Sequence, residues 1–267
     1  MNARIDSGIA SVVEKRLTAI EHDDDLCVLY ACESGSRAWG FASVDSDYDV
    51  RFLYLRRLEW YLSVNLHEKR DVIEIPIDDA IDISGWDLKK ALVLFRKSNP
   101  PLLEWLGSPL VYRERSSVAQ EMRDLLPAYY SPSACLYHYL HMAQGNYREY
   151  LKGEQVLLKK YLYVLRPIAS IRWIERGLGV VPTQFRTALE AVIDDPALRA
   201  AIDQLLNAKE SGQELDYGPR IPVLSNFLEA ELERLASGPG NKGGAKPPWE
   251  PLNELFRKAL RVWEPDV

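Results

Sequence analysis

Apolar positions along this chain follow two different periods. In the first third they come as short runs: LCVLYAC (26–32) predicts a buried strand, YDVRFLYL (48–55) a second and DVIEI (71–75) a third, while IDI (81–83) extends or follows that sheet. Residues 4–20 precede them with a helical period. Ser84, with Asp87 three positions later, approximates a capping box for a helix running through KKALVLFRK and ended by Asn99-Pro100-Pro101. The sheet region therefore closes near residue 115. Beyond it the period is almost wholly helical, with helices expected at 116–126, 132–152, 155–177, 183–193, 196–210, 222–236 and 251–263. Pro167 interrupts 155–177, which predicts either a kink or two abutting helices. The Gly-, Pro- and Lys-containing stretch 237–251 reads as a mobile loop. The pattern predicts an α+β chain of two domains, 1–115 with the sheet and 116–267 helical.

Composition narrows this picture. Hydrophobic residues make up 47% and charged residues 27% of the 267 positions, which excludes a disordered, collagen-like or coiled-coil chain. A formal charge of −6 argues against indiscriminate electrostatic binding to nucleic acid, so a phosphate partner must meet a local basic patch. Three cysteines without paired spacing give neither a disulfide framework nor a zinc site. The first residues lack the apolar core of a signal peptide, and no run of about 18 apolar residues would span a membrane. The expectation is a reduced, soluble, cytoplasmic protein whose oligomeric state the sequence leaves open. His138 and His141 lie three apart on one predicted helix without an acidic or thiol ligand at metal spacing, so they read as structural. Cys27 and Cys32, on a strand, read as buried apolar residues, and Trp86 and Trp105 as core.

Candidate chemistry concentrates in GSRAWGFASVDSDYDVRFLYL, where Gly35-Ser36 is followed after ten residues by Asp47-x-Asp49 at the head of a strand. Strand alternation places Asp47, Asp49 and Arg51 on one face and Tyr48, Val50 and Phe52 on the other. Two carboxylates at that spacing, roughly 6–7 Å apart at their Cα atoms, can converge on a pair of Mg²⁺ ions about 3.5–4 Å apart, as in-line phosphoryl displacement requires. Gly35 and Ser36 precede a short helix whose N–H groups and hydroxyl suit an anionic phosphate. Read simply, Asp47 and Asp49 are turn residues at a strand start and Ser36 a helix cap. Arg37 and Arg51 can pair either with neighbouring carboxylates or with a substrate phosphate.

This segment resembles the signature of the DNA polymerase β superfamily of nucleotidyltransferases, Gly-Ser followed about ten residues later by Asp-x-Asp or Asp-x-Glu on a strand. Together with DISGWDLKKALVLFRKSNPPLLEWLGSP it is similar, over 33–113, to a stand-alone family of predicted nucleotidyltransferases, some associated with RNA-repair operons. A weaker likeness runs through LLKKYLYVLRPIASIRWIE (157–175). The resemblance implies a polymerase-β-like mixed sheet with flanking helices; joined to the helical stretch that follows, the expectation is a catalytic domain and a helical domain with the active site in the cleft between. The resemblance also implies two Mg²⁺ ions, with Mn²⁺ as a substitute, an NTP donor such as ATP, and release of pyrophosphate.

Asp47 and Asp49 would then bind both metals, with Gly35, Ser36 and Arg37 at the triphosphate. Superfamily members add a third carboxylate in an apolar-acid-apolar triplet on a neighbouring strand; Ile81-Asp82-Ile83 has that shape and Ile73-Glu74-Ile75 has it less closely, so Asp82 is preferred over Glu74. Lys159, Tyr163, Arg166, Ser170 and Trp173 recur at steps of four and three and define one helix face if Pro167 only kinks it. By periodicity alone this is a solvated basic face; the family likeness assigns Lys160, Tyr163 and Arg166 to the nucleotide. The expected reaction is nucleoside monophosphate transfer to an acceptor hydroxyl, with an RNA 3′ end, such as that of tRNA, favoured by analogy. Two alternatives stand beside it: nucleotidylation of a small molecule or protein hydroxyl, and a non-catalytic nucleotide sensor.

Overall fold

The computed structural model describes residues 5–78, 80–213, 215–236 and 246–263. Helix α1 (Ser7–Asp23) starts where the Asp6 carboxylate accepts the N–H groups of Gly8 and Ile9 and leads into β1 (Leu26–Glu33). A short α2 (Gly35–Trp39) separates β1 from β2 (Tyr48–Arg56), and α3 (Leu58–Tyr61) follows β2. Then come β3 (Val72–Asp78), β4 (Ile81–Asp87), α4 (Leu88–Arg96), α5 (Pro100–Leu106), β5 (Val111–Glu114) and α6 (Val118–Tyr129). The helical stretch comprises α7 (Pro132–Tyr150), β6 (Gln155–Leu157), α8 (Lys160–Glu175), α9 (Phe185–Val192), α10 (Pro196–Glu210), β7 (Tyr217–Pro219), α11 (Pro222–Arg234) and α12 (Glu250–Trp263).

Strands β3-β4-β2-β1-β5 form a five-stranded mixed sheet in that order. Only β2 and β4 run parallel; the other pairs are antiparallel. Val28, Ala31, Val50, Phe52, Tyr54 and Ile83 from its central strands bury against Val13, Leu17 and Ile20 of α1, the apolar burial that holds the layer together. Grouped by contacts, the chain forms two compact units, one of residues 1–38, 47–130 and 245–267, the other of 39–46 and 131–244. Helices α6 and α12, expected with the helical part, thus group with the sheet. In the second unit α8 packs against α7, α9 and α11, and β6 pairs with β7. No helix among the described residues is long and apolar enough to cross a membrane.

Several sequence expectations shift. Ser84 does not open a helix: β4 runs to Asp87, and the Asp87 carboxylate itself caps α4 by accepting the N–H of Lys89 at 2.8 Å. The expected helix 155–177 begins only at Lys160, because 155–157 pairs as a strand; Pro167 lies within one helix. Strand β5 was not anticipated, since its pattern is broken by Arg113, which is buried and paired with Glu14 and Glu21 of α1. Cys27 is half-buried rather than buried. Most of the expected loop, 237–245, lies outside the described residues.

Candidate active site

The site begins with the parallel pairing of β2 and β4, whose register sets Asp49 directly beside Asp82. Both carboxylates turn to one guanidinium: Arg51 Nη2 donates to Asp49 Oδ1 at 2.8 Å and to Asp82 Oδ2 at 2.7 Å. Arg51 Nη1 donates to the carbonyls of Val50 and Asp82, which fixes the fork. Asp49 and Arg51 share a face, as strand alternation demands, while Val50 and Phe52 point into the core. Burial raises the pKa of Asp49, Arg51 opposes the rise, and the like charges of Asp82 and Asp47 add to it. Excess negative charge is thus concentrated at the heads of two strands.

The backbone of Asp49 is held on both sides. Its N–H donates to Glu33 Oε1 at 2.8 Å and its carbonyl accepts the N–H of Ser34 at 2.8 Å. Glu33 is 1% exposed and receives a hydrogen bond from the Tyr112 hydroxyl at its other oxygen. Burial, with help from the Asp49 charge, pushes the Glu33 carboxyl up to about 7 against the pull of these two donors. Immediately after Ser34, Gly35 adopts φ +58° at the start of α2, and a Cβ there would stand 1.8 Å from Asp49 Oδ2. Only glycine permits that approach. Ser36 follows in α2, and Arg37 lays its guanidinium 3.7 Å over the Tyr48 ring while its Nε donates to the Asp47 carbonyl. Asp47 is exposed just before β2.

Glu74, the other candidate third carboxylate, is exposed on β3 and pairs with Arg70 at 2.9 Å. The expected nucleotide residues of α8 fall in the second unit. The Lys160 ammonium lies 4.1 Å over the Tyr150 ring and 4.8 Å over Tyr163, and partial burial lowers its pKa. Arg166 is buried with its guanidinium 4.0 Å over Trp39. The face that periodicity alone would leave solvated is not so along the whole helix: Arg166 and Ser170 are buried, because α8 packs against three other helices. Lys159 remains exposed at its start. His141 Nδ1 lies 2.7 Å from the Tyr137 carbonyl, a local helix contact.

Among the described residues no three His, Cys, Asp or Glu side chains form a ready-made metal cage. The donor chemistry nonetheless fits a hard divalent cation, because Mg²⁺ is ordinarily held by one or two carboxylates together with substrate phosphates. Asp49 and Asp82 already converge on one cationic atom of Arg51.

Residues 9–258 match the family RlaP, the RNA repair pathway DNA polymerase beta family. The chain belongs to this family. It is a nucleotidyltransferase of the polymerase β type. The uncharacterized protein YcgL of Bacillus subtilis (strain 168) is 46% identical over 250 residues, covering 93% of this chain and 95% of that protein. A nucleotidyltransferase-like protein from Exiguobacterium sibiricum 255-15 is 17% identical, with 94% of this chain and 90% of that one covered at a TM-score of 0.31.

Sequence reasoning missed Glu33 and Tyr112. Glu33 closes an otherwise apolar strand run, which is the one local signal it offered, whereas Tyr112 sits on the unanticipated β5.

Proposed function

We propose that the protein transfers a nucleoside monophosphate from an NTP to the 3′ hydroxyl of an RNA, releasing pyrophosphate. The acceptor oxygen attacks the α-phosphorus in line, and the bond from that phosphorus to the bridging oxygen of pyrophosphate breaks, its electron pair leaving with pyrophosphate. Asp82 accepts the proton of the attacking hydroxyl. Asp47, Asp49 and Asp82 would hold Mg²⁺ or Mn²⁺, which when bound supplies charge neutralisation and a more acidic acceptor hydroxyl. Gly35 and Ser36 bind the triphosphate next to Asp49, with Arg37 beside them. Lys160 and Arg166 neutralise the charge on pyrophosphate and Tyr163 contacts the nucleotide, as the family likeness of their segment implies. The free thiols of Cys27, Cys32 and Cys135 suit a reducing, cytoplasmic setting.

The observation that carries this reading is the Asp49–Asp82 pair on adjacent parallel strands, sharing Arg51, with Gly35 pressed against Asp49. The pair shares Arg51 as its cation, and a divalent metal held jointly with substrate phosphates suits the same two carboxylates. The test is incubation with each α-labelled NTP, Mg²⁺ or Mn²⁺, and pooled RNA, proteins and metabolites. Label on RNA 3′ ends is expected. Label on protein or small molecules would replace the RNA acceptor, and nucleotide binding without any transfer would leave a sensor.

A further inference from the structure

At the opposite end of the same strand pair lies a cavity of about 620 Å³. The register carries the pair from Asp49 and Asp82 to Tyr54 and Asp87 over five residues, about 17 Å at 3.3 Å per residue. This cavity is therefore separate from the carboxylate site. Its walls come from α3, the turn after it and the outward face of α4.

The lining is strongly cationic for a chain of net charge −6. Along α4 and its C-cap, Lys89, Val93 and Lys97 recur at steps of four, with Lys90 and Leu94 beside them, so three lysines and two apolar residues line the cavity together. Lys89 and Lys97 are exposed, and neither has a carboxylate partner among the described residues. Across the cavity, Lys69 is tied down by the Ser63 hydroxyl at 2.6 Å and lies 4.2 Å over Trp60. The two lining carboxylates are already engaged: Asp71 with Lys90 at 2.8 Å, and Asp87 with Tyr61 and the start of α4.

A row of lysines on a helix is ordinarily a solvated face. Here they wall a concavity floored by Val93, Leu94 and Leu66, which concentrates their field and offers apolar contact. Lys89 and Lys97 are eight residues apart, about 12 Å at helical rise, long enough to meet successive phosphates of an extended strand rather than a single one. A lone phosphate would use only part of this row, an acidic peptide would gain less from the apolar floor, and a duplex presents its phosphates on a convex rod that does not enter a cavity. Positive groups along a groove with apolar contacts between them suit a single strand. The geometry points to this cavity as a binding site for the phosphodiester backbone of single-stranded RNA, at the other end of the strand pair from Asp49 and Asp82.

The choice of RNA rests on the proposed acceptor, but binding at this cavity is read without the transfer reaction, so the two can fail separately. The experiment is fluorescence anisotropy of a labelled, unstructured 12-nucleotide RNA with the full chain, without NTP, across a salt series. Lys89→Glu/Lys97→Glu should weaken binding at least tenfold, and removing two phosphate contacts should flatten the log–log salt slope by about 1.4. Lys89→Gln/Lys97→Gln should flatten it equally with a smaller loss of affinity. Both variants alter exposed side chains, and unchanged melting curves establish that they fold. RNA affinity within twofold of wild type in the glutamate variant would overturn the inference. So would equal or tighter binding of a poly-glutamate peptide, of a duplex of the same length, or of inorganic phosphate.

Discussion

Asp49 and Asp87 lie towards opposite ends of one parallel strand pair, and their surroundings make opposite use of a carboxylate. At Asp87 the side chain is consumed by the fold: it is 4% exposed as a residue, accepts the Tyr61 hydroxyl at 2.8 Å and caps α4 through Lys89 N–H. At Asp49 the backbone is secured by Glu33 and Ser34 instead, and the side chain, 28% exposed, meets Arg51 in common with Asp82. Burial raises the pKa of both groups, so a perturbed carboxyl does not by itself tell the two ends apart. What separates them is who satisfies the backbone and who satisfies the carboxylate.

That contrast breaks most sharply under charge removal. Asp49→Asn or Asp82→Asn should lower turnover by about a thousandfold, with melting temperature little changed, whereas Glu74→Gln should leave turnover near wild type; steady-state pyrophosphate release checks all three. Equal losses at Asp82 and Glu74 would dissolve the pairing argument. Two glycines sharpen the comparison next. Gly35→Ala pushes a Cβ against Asp49 and should cost turnover about a hundredfold, the scale of a 1 Å misplacement.

Gly85→Ala, where a Cβ would meet the buried Phe52 ring at 2.3 Å, should instead cost about 1–3 kcal/mol of stability. Urea titration of both variants separates the effects. Tyr112→Phe removes the donor to Glu33 and should destabilise by about 1 kcal/mol or more, because Glu33 stays buried. The smallest effect is a pH dependence at Asp87. Its folded pKa is raised by burial, so its contribution to stability is full below the unfolded value and is lost as pH rises through the folded one. Asp87→Asn keeps a competent cap, and its stability relative to wild type should therefore improve across that interval in denaturation series at stepped pH.

Particular residues show how far the sequence could be read. The strand 48–55 and the shared face of Asp49 and Arg51 follow from alternation, because a strand's period is fixed by backbone geometry. Only resemblance separated Asp82 from Glu74 in the sequence; where the two sit was not legible there, because register places Asp82 across from Asp49 while Glu74 turns to Arg70. The α8 face failed as a continuous basic surface because periodicity describes one helix and says nothing of its neighbours, which bury Arg166 and Ser170.

By itself the sequence determined the mixed α+β character, the Gly-Ser to Asp-x-Asp spacing and which strand carries it, since each depends on contacts or periods local to the chain. Only the tertiary structure decided that Glu33 and Tyr112 support Asp49, that Arg51 joins Asp49 to Asp82, and that the lysines of α4 wall a cavity with Lys69. Those relations join residues up to 79 positions apart. Strand order and register bring them together, and both are settled by how the whole sheet buries its apolar face.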